Sequence, residues 1–527
     1  MGPAGSSMLD ATPLLRLYAR RRNKQLATED PCQTQREQLL ALVRKASRTR
    51  FGSDHRFSEI RDVSDFQQQV SLRRYEDFWR EYWQPCFPKL VNVSWPGAIP
   101  YFALTSGTTT GKTKYIPFSY AMSASNQRAT LDIFVHHLAL RPQSRVLGGK
   151  NFMLGGSTGL VELAHGVYAG DLSGIEATRI PWFARPYFFP PRVCALMTDW
   201  EQKIEELARL SLRMDIRAIS GTPSWLLLFF AKLAEVRREL PRRLSSYYPS
   251  LELLVHGGTH FAPYLPQFNE LFKGSKAEMR EVYPASEGFI AVADHGYGEG
   301  LRLITDNGIF YEFVPVDEVD ESAPTRHWLA NAETGQNYAL ILSTCAGLWS
   351  YVLGDTVRFI GLRPPRLLVT GRLSYFLSAF GEHLIAEEIE TAVASAAAEI
   401  NTQVSDYTVT ALFPSHAKAR GGHLYIVEFS DPVGEPQLIA FAGALDASLA
   451  SQNQDYKDHR AGDFGMDPPR VLAVHPGTFA AWMKARGQIG GQHKVPRVIH
   501  DQALFEALDQ FIRERGMADF QGSGTGH

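Results

Sequence analysis

The stretch YFALTSGTTTGKTKYIPF, residues 101–118, combines two apolar arms with a polar centre. The ten residues 105–114 contain two glycines, two lysines and a run of hydroxyl side chains. Glycines let the backbone approach a ligand and present its N–H groups, hydroxyls donate to phosphate oxygens, and lysines neutralise phosphate charge. Because the arms alternate in the manner of strands, the stretch predicts a strand–loop–strand unit that binds a polyanion, and a triphosphate fits best.

A Walker A P-loop, G-x-x-x-x-G-K-[ST], is the first alternative for this stretch. Gly107 and Gly111 are separated by three residues, one fewer than that motif requires. A P-loop also opens into a helix whose N-terminus faces the phosphates, whereas Pro117 in an alternating segment disfavours a helix. The other alternative is a solvated Ser/Thr-rich turn, but such turns rarely combine so many donors with two lysines.

A second segment, YPASEG at residues 283–288, has residue types suited to a nucleotide. The ring of Tyr283 offers a flat apolar face for adenine. The carboxylate of Glu287 is a hard oxygen ligand, suited to Mg²⁺ that bridges phosphates. Taken alone, the pattern is also that of an ordinary surface turn.

Three more segments place candidate groups at the ends of predicted strands. Gly257 and Gly258 follow a short buried strand, where a ligand such as adenine can lie against backbone, although a tight turn explains them equally well. Asp355 can accept hydrogen bonds from both ribose hydroxyls, or cap a turn as a buried carboxylate. Arg372 can bind a ribose or phosphate oxygen with its fork of donors, or lie at the surface.

The amino-acid composition argues against several classes of protein. The 527 residues include 54 basic and 56 acidic side chains, a formal net charge of −2, which excludes a bulk electrostatic nucleic-acid binder. The four cysteines are far apart, which argues against a zinc ribbon, an iron–sulfur site or a disulfide-stapled fold. No apolar run approaches the ~20 residues that span a bilayer. We therefore expect a soluble, cytoplasmic protein that binds neither nucleic acid nor membrane; its oligomeric state is not readable.

The pattern of predicted strands and helices changes near residue 375. Before that point, short apolar strands alternate with helices, a pattern typical of an open α/β domain with parallel sheet. After it, the strands and helices predict a separate α+β region. The sequence thus predicts a large domain over residues 1–375 and a smaller one over residues 376–527.

The order of these segments resembles that of the acyl-adenylate-forming superfamily, which includes luciferase and acyl-CoA synthetases. The form T-S-G-T-T-T-G-K-T-K-Y-I-P is similar to that of the auxin-responsive acyl-acid amido synthetases, and Y-x-x-S-E, Y-x-x-G-D and G-Q-x-K-x-P-R follow in the family's order. The resemblance implies a large N-terminal ATP-binding adenylation domain and a small, mobile C-terminal domain. Besides the residues already named, the nucleotide contacts that it implies are Thr105, Ser106, Gly107, Thr108, Thr109, Lys114 and Ser286.

The resemblance also points to two residues of the C-terminal region. Lys494 lies in a Gly-rich loop and would stabilise charge on the transferring phosphorus during adenylation. The chain departs from plant members just after Arg372, because it has His383 near the position where they carry a lysine. A histidine there could supply a donor, act as base or acid near neutral pH, or be a satisfied loop residue.

By resemblance, the protein is an ATP-dependent ligase that uses ATP and Mg²⁺. It would adenylate a carboxylic acid, releasing pyrophosphate, and then transfer the acyl group to the amine of an amino acid, forming an amide and AMP. Its partners would be a small-molecule acid and an amino acid. Two alternatives stay open: an acyl-CoA or carrier-protein thioester synthetase, and a non-catalytic ATP-binding relative.

Overall fold

The chain divides into two compact units in a computed structural model. The first unit contains the described residues up to Leu353 together with residues 357–369, and the second contains residues 354–356 and those from Thr370 onward. The predicted boundary after residue 375 stays a prediction. The structure describes residues 9–106, 113–155, 159–191, 194, 200–258, 261, 264–373, 377, 384, 386–412, 422–453, 456–457, 460, 466–486, 495–499 and 501–523.

The helices of the first unit begin at recognisable caps. Asp30 accepts from the N–H groups of the next helix and is followed by a proline in its first turn. Ser119 caps the long helix after the polar loop by accepting from Met122 N. The helices are α1 (Thr12–Thr28), α2 (Pro31–Ala46), α3 (Arg50–Asp54), α4 (Val63–Gln69), α5 (Tyr75–Phe78), α6 (Tyr120–Leu140), α7 (Leu172–Arg179), α8 (Trp200–Ser211), α9 (Pro223–Val236), α10 (Leu244–Tyr247) and α11 (Leu265–Phe272).

The strands between residues 101 and 372 form two sheets, and all of their residues belong to the first unit except 354–356 and 370–372, which belong to the second. The smaller sheet has the order β2-β1-β5-β4, and the larger has the order β12-β13-β14-β15-β11-β10-β9-β8-β7-β3-β6. The strands are β1 (Tyr101–Ser106), β2 (Thr113–Phe118), β3 (Lys150–Met153), β4 (Val161–Ala164), β5 (Val167–Gly170), β6 (Phe188–Phe189), β7 (Ile216–Gly221), β8 (Leu253–Gly257), β9 (Glu278–Ala285), β10 (Gly288–Val292), β11 (Leu301–Leu303), β12 (Ile309–Pro315), β13 (Asn337–Thr344), β14 (Tyr351–Leu362) and β15 (Pro365–Arg372).

The larger sheet is mixed. Strands β6, β3, β7, β8 and β9 run parallel to one another, as the alternating sequence predicts. From β9 onward the pairs β9–β10, β10–β11 and β11–β15 are antiparallel. Strand β9 is therefore the border between the parallel and antiparallel parts, and two of the candidate motifs, at the end of β8 and after β9, lie at this border.

The second unit has the expected α+β composition. Its five-stranded sheet has the order β19-β16-β17-β18-β20 and mixes parallel with antiparallel pairs. Its elements are α12 (Ala386–Glu399), α13 (Glu435–Gln452), α14 (Thr478–Ala485), α15 (Gln502–Glu514), β16 (Val404–Leu412), β17 (Gly422–Phe429), β18 (Arg470–Val474), β19 (Val498–Ile499) and β20 (Ala518–Ser523).

Two composition-based expectations can be compared with the structure. All four cysteines are free thiols, and Cys345 is the buried one. Among the described residues, none of the helices has the length and apolarity needed to cross a membrane.

Candidate active site

The polar stretch forms an antiparallel hairpin of β1 and β2, as predicted. Thr105 lies opposite Lys114, and Ser106 lies opposite Thr113. The two arms therefore deliver the ends of the polar loop to one place. Residues 107–112 lie outside the described residues, and with them three candidate phosphate contacts, Gly107, Thr108 and Thr109.

The element that follows the loop decides against a P-loop. From residue 113 the chain is the strand β2, with Pro117 inside it, and α6 begins only at Tyr120. A P-loop needs a helix N-terminus directly at the phosphates. Residues 107–112 therefore connect two paired strands. Lys114 belongs to the second of these strands.

Lys114 is held by two side chains of the short helix α5. Its Nζ lies 3.3 Å from Glu76 Oε1 and 5.1 Å from the centre of the Tyr75 ring. Its side chain is only 22% exposed, so the ammonium is partly desolvated between a carboxylate and an aromatic face. A phosphate at the hairpin tip would meet a cation that is already oriented.

Tyr75 ties this helix to the hairpin. Its hydroxyl oxygen accepts a 2.9 Å hydrogen bond from the N–H of Tyr115, the residue after Lys114. Burial raises the pKa of Tyr75 to about 12, so the phenol is neutral at physiological pH. The Tyr75 contact fixes α5 against β2 and thereby places Glu76 beside Lys114.

The glycine pair after the buried strand β8 has a demonstrable packing role. A Cβ at Gly257 would lie 2.2 Å from the carbonyl oxygen of Val282 on β9. Gly258 has φ +80°, a conformation that strongly favours glycine. Close packing against β9 therefore demands glycine at Gly257, and the backbone conformation favours it at Gly258. The predicted contact of both glycines with adenine stays a prediction.

The second motif runs through β9 and its turn into β10. Register pairs Gly257 with Val282, so the glycines stand next to Tyr283, which is 7% exposed. Ser286 and Glu287 form the two-residue turn, because Gly288 already pairs back with Ala285. Glu287 is only 8% exposed, an unusual position for a carboxylate that needs a partner.

Tyr351, the first residue of β14, lies within electrostatic reach of that carboxylate. The charges of Glu287 and Glu76 both act on its buried hydroxyl. Burial first, and then these two carboxylates, raise the pKa of Tyr351 well above its ordinary value, so the phenol stays protonated. Glu76, the partner of Lys114, and Glu287, the candidate metal ligand, therefore both act on the buried Tyr351.

A backbone connection explains this convergence. Arg73 and Tyr351 form a parallel bridge, in which Arg73 N donates to Ser350 O at 3.0 Å and Val352 N donates to Arg73 O at 2.9 Å. The segment that begins α5 is thus attached to the start of β14. Sequence reasoning missed Tyr75 and Glu76 and gave Tyr351 no role. No sequence pattern around these residues indicates that they lie near Lys114 and Glu287.

The residues around Glu287 are compatible with magnesium but supply few of its coordinating oxygen atoms. Within the described part of the chain, no three His, Cys, Asp or Glu side chains are grouped to hold a metal ion. Mg²⁺ in nucleotide sites is typically bound through one or two carboxylates, with substrate phosphates and waters completing the octahedron. A single buried carboxylate fits that mode and does not fit a structural metal site.

Two candidates belong to the second unit and are close to each other. Arg372 Nε lies 3.1 Å from Asp355 Oδ1, with the arginine side chain 46% exposed and the aspartate 12%. Behind them, the hydroxyl of Thr370 donates to that of Thr356 at 2.9 Å. Asp355 is therefore paired with a guanidinium that is about half exposed.

Two predicted catalytic residues lie outside the described residues. They are Lys494, in the Gly-rich loop before β19, and His383, ahead of α12. Their roles stay predictions.

Comparison with known proteins supports the motif order. Models of the GH3 family match three parts of the chain: its N-terminal domain at residues 20–154 and 160–277, its central domain at 302–372 and its C-terminal domain at 387–503. The indole-3-acetic acid-amido synthetase GH3.3 of Arabidopsis thaliana is 25% identical over 347 residues, which cover 60% of this chain and 57% of the relative. The chain thus spans somewhat more than half the length of that curated relative.

Solved structures show the same fold. A GH3.15 acyl acid amido synthetase superposes with a TM-score of 0.76 at 17% identity, covering 99% of this chain and 98% of the other. A 2-hydroxyisobutyryl-CoA ligase in its postadenylation state gives a TM-score of 0.55 at 16% identity, covering 98% of this chain and 96% of the other. The chain therefore shares its α/β fold with both of these structures.

Proposed function

Because the chain belongs to the GH3 family, we propose that it is an ATP-dependent acyl-acid amido synthetase. It joins a carboxylic acid to the amine of an amino acid, and ATP is converted to AMP and pyrophosphate. One observation supports this most: Glu76 pairs with Lys114 of the hairpin, and the charges of Glu76 and of Glu287 in the second motif both act on Tyr351. A cation for phosphate and a hard carboxylate are thus linked through neighbouring side chains of the first unit, as a metal–nucleotide substrate requires.

The first half-reaction forms the acyl adenylate. A carboxylate oxygen of the acid attacks the α-phosphorus of ATP, a P–O bond forms, and the bond to pyrophosphate breaks. Lys114 and the hairpin donors, Thr105 and Ser106 with Gly107, Thr108 and Thr109, hold the phosphates and stabilise the added charge. Charge-assisted hydrogen bonds of this kind contribute about 1.5–3 kcal/mol each.

The nucleoside is held by the remaining motif residues. Tyr283 with Gly257 and Gly258 would form the adenine surface, while Ser286 lies next to the metal ligand. Asp355 would accept from the ribose hydroxyls, with Arg372 orienting its carboxylate.

Mg²⁺, held by Glu287, would supply charge neutralisation on the phosphate oxygens. Around it, the protonated hydroxyl of Tyr351 would orient the Glu287 carboxylate.

The second half-reaction forms the amide. The amine nitrogen attacks the acyl carbon, the bond to AMP breaks, and the amine gives up a proton. We assign residues 1–375 to the adenylation domain and 376–527 to a mobile domain, whose Lys494 acts on the transferring phosphorus and whose His383 lies near the hinge. We place the enzyme in the cytoplasm, with small-molecule substrates as its partners.

The decisive experiment is a panel of acids and acceptors. Purified protein is incubated with ATP, Mg²⁺ and each carboxylic acid, and then with amino acids or CoA. We expect acid-dependent pyrophosphate exchange, followed by amino-acid-dependent AMP release with an amide detected by mass spectrometry. AMP release that depends on CoA would make the enzyme a thioester synthetase, and no exchange with any acid would leave a non-catalytic ATP binder.

A further inference from the structure

Arg326, a largely buried arginine that belongs to none of the sequence motifs, forms an ion pair with Glu312 on β12. Its side chain is 10% exposed, and that of Glu312 is fully buried. Arg326 Nε donates to Glu312 Oε1 at 2.9 Å, and Nη2 donates to Oε2 at 3.0 Å. Such a paired contact needs the planar fork of a guanidinium, which a lysine ammonium does not offer.

The other hydrogen bonds of Arg326 connect two segments that are far apart in the chain. Nη1 donates to the carbonyl oxygens of Gln67 at 2.8 Å and of Val70 at 2.6 Å, in the last turn of α4 and directly after it. Nη2 also donates to the hydroxyl of Ser350 at 2.7 Å. With the two bonds to Glu312, these contacts use all five N–H donors of the guanidinium, so its orientation is fixed.

Ser350 has a backbone conformation that is uncommon for a residue with a side chain. Its φ is +42°, in the left-handed region. Its hydroxyl donates to Glu312 Oε2 at 3.0 Å, and its N–H donates to the hydroxyl of Ser343 at 2.9 Å. Residues in such conformations persist where their surroundings over-determine them, and they cluster at functional sites. The pair of Arg326 and Glu312 supplies that constraint directly before Tyr351.

One of the two anchored segments leads to the candidate metal ligand. Ser350 immediately precedes Tyr351, and the charge of Glu287 acts on the buried hydroxyl of this tyrosine. Because the backbone of Ser350 sets where β14 begins, a change at Ser350 would move Tyr351 relative to Glu287.

The other anchored segment leads to the candidate phosphate ligand. Three residues after Val70, the N–H of Arg73 donates to the carbonyl oxygen of Ser350 at 3.0 Å. Helix α5 follows, and its Glu76 lies 3.3 Å from the Nζ of Lys114. The position of Glu76 beside Lys114 therefore depends on the same group of hydrogen bonds.

We propose that Arg326 is a positioning residue for the binding of ATP and Mg²⁺. It holds the segments that carry Tyr351 and Glu76, and it thereby keeps the candidate metal and phosphate ligands beside them in place. The inference rests on the proposed function, since that function assigns Glu287 to the metal ion and Lys114 to the phosphates. Substitutions of residues that support a metal ligand typically cost 10–100-fold in metal affinity, so the loss of Arg326 should appear in binding as well as in stability.

Equilibrium binding of ATP to the full-length protein in the presence of Mg²⁺, together with the melting temperature, tests the proposal. Arg326→Lys keeps the charge and removes the planar fork. The control is Arg22→Lys, at an arginine that is 11% exposed and donates to both carboxylate oxygens of Asp132, at 2.9 and 2.7 Å. We expect both variants to melt at a lower temperature, and only Arg326→Lys to bind ATP about tenfold more weakly or worse.

The possible outcomes separate this inference from the proposed function. If the parent binds ATP with Mg²⁺ and Arg326→Lys binds it equally well, Arg326 is not a positioning residue and the proposed reaction is untouched. A similar loss of affinity in Arg22→Lys would also overturn the inference, because any loosening of the fold would then suffice. If the parent itself binds no ATP, the proposed function fails and the inference fails with it.

Two variants of Ser350 test the same point if Arg326→Lys does not fold. Both remove the hydroxyl, but Ser350→Gly adopts the left-handed conformation freely, whereas Ser350→Ala does not. A binding-competent conformation that is less populated lowers the apparent affinity in proportion. We therefore expect Ser350→Ala to bind ATP about fivefold more weakly than Ser350→Gly. Equal affinities of these two variants would overturn the proposal, because the backbone at this position would then not govern ATP binding.

Discussion

The buried hydroxyl of Tyr351 interacts with the carboxylate of Glu287, which lies 64 positions earlier in the sequence. The first residue of one motif therefore acts on the candidate metal ligand of another. The interaction matters because Glu287 is buried, and a buried carboxylate needs polar or charged neighbours.

Tyr351→Phe should raise the Mg²⁺ concentration needed for half-maximal adenylation about tenfold or more, because mutations of such supporting partners typically cost 10–100-fold in metal affinity. Pyrophosphate exchange measured against Mg²⁺ concentration checks this. The control is Tyr338→Phe, which removes another tyrosine hydroxyl of the same sheet, bonded to Gln336 at 3.0 Å. Equal Mg²⁺ dependence of the two variants would show that the Tyr351 hydroxyl does not support metal binding.

Glu76→Gln should tighten ATP binding by about two- to fivefold, the range of a half-exposed ion pair, because the carboxylate competes with phosphate for Lys114. Lys114→Ala should weaken ATP binding by about tenfold. In the double variant the gain from Glu76→Gln should shrink toward zero, since the cation for which it competes is gone. A full gain in the double variant would contradict the competition, and equilibrium binding of ATP measures all four proteins.

Asp355→Ala should weaken ATP binding by about tenfold through loss of the ribose contacts. A change in ATP affinity could also come from breaking an acid–arginine pair, so the matched control is Asp446→Ala, whose partner Arg460 lies 2.7 Å away in the same unit. We expect the control to lower the melting temperature without changing the ATP affinity of the folded protein. Similar losses of affinity in both would remove Asp355 from the binding site.

Lys494→Ala should slow acyl-adenylate formation about 100-fold and change ATP affinity little, because its contact is proposed for the transition state. Pyrophosphate exchange and equilibrium ATP binding separate the two effects. Lys484→Ala, an exposed lysine in the last turn of α14, is the control and should behave like the parent. An unchanged exchange rate in Lys494→Ala would show that the assigned role is wrong.

Glu176 gives the protein a pH-dependent stability. Burial raises the pKa of this carboxyl to about 7, although Asn126 Nδ2 donates to it at 3.0 Å, whereas its ordinary value is 4.5. Between these values the unfolded chain ionises the group and the folded chain does not, so the free energy of unfolding should fall as pH rises from about 4.5 to about 7. The total is on the order of 2–3 kcal/mol.

Glu176→Gln should remove this loss and be more stable than the parent at pH 8. Urea unfolding at pH 5 and pH 8 measures the difference, and Glu162→Gln, an exposed glutamate on β4, is the control. Parallel pH profiles for Glu176→Gln and the parent would exclude Glu176 as the source.

Local sequence determined the elements of the candidate site well. Alternation around Pro117 predicts a strand after the polar loop, and β2 is that strand. The side-chain pattern after this strand predicts a helix from about residue 121 to 140, and α6 is that helix. Such features depend on side-chain spacing and backbone restrictions within a few residues, which the sequence displays directly.

The sequence predicts that Thr222 caps a helix that begins at Pro223, and this prediction is only partly confirmed. Helix α9 does begin at Pro223. Yet the Thr222 side chain makes no capping hydrogen bond, and its hydroxyl is buried with no partner among the described residues. Which group a hydroxyl meets depends on the packing around it, and the helix N-terminus is only one of the candidates.

The sequence by itself determined the nucleotide motifs, their order and the strand–loop–strand form of the phosphate hairpin, because each rests on residue types within one short segment. The tertiary structure alone decided that Tyr75, Glu76 and Tyr351 connect Lys114 to Glu287. Those contacts follow from the bridge between Arg73 and the start of β14, which joins segments far apart in the chain. No pattern local to either segment encodes such a pairing, since it is set by how distant backbone hydrogen bonds are satisfied when the sheet forms.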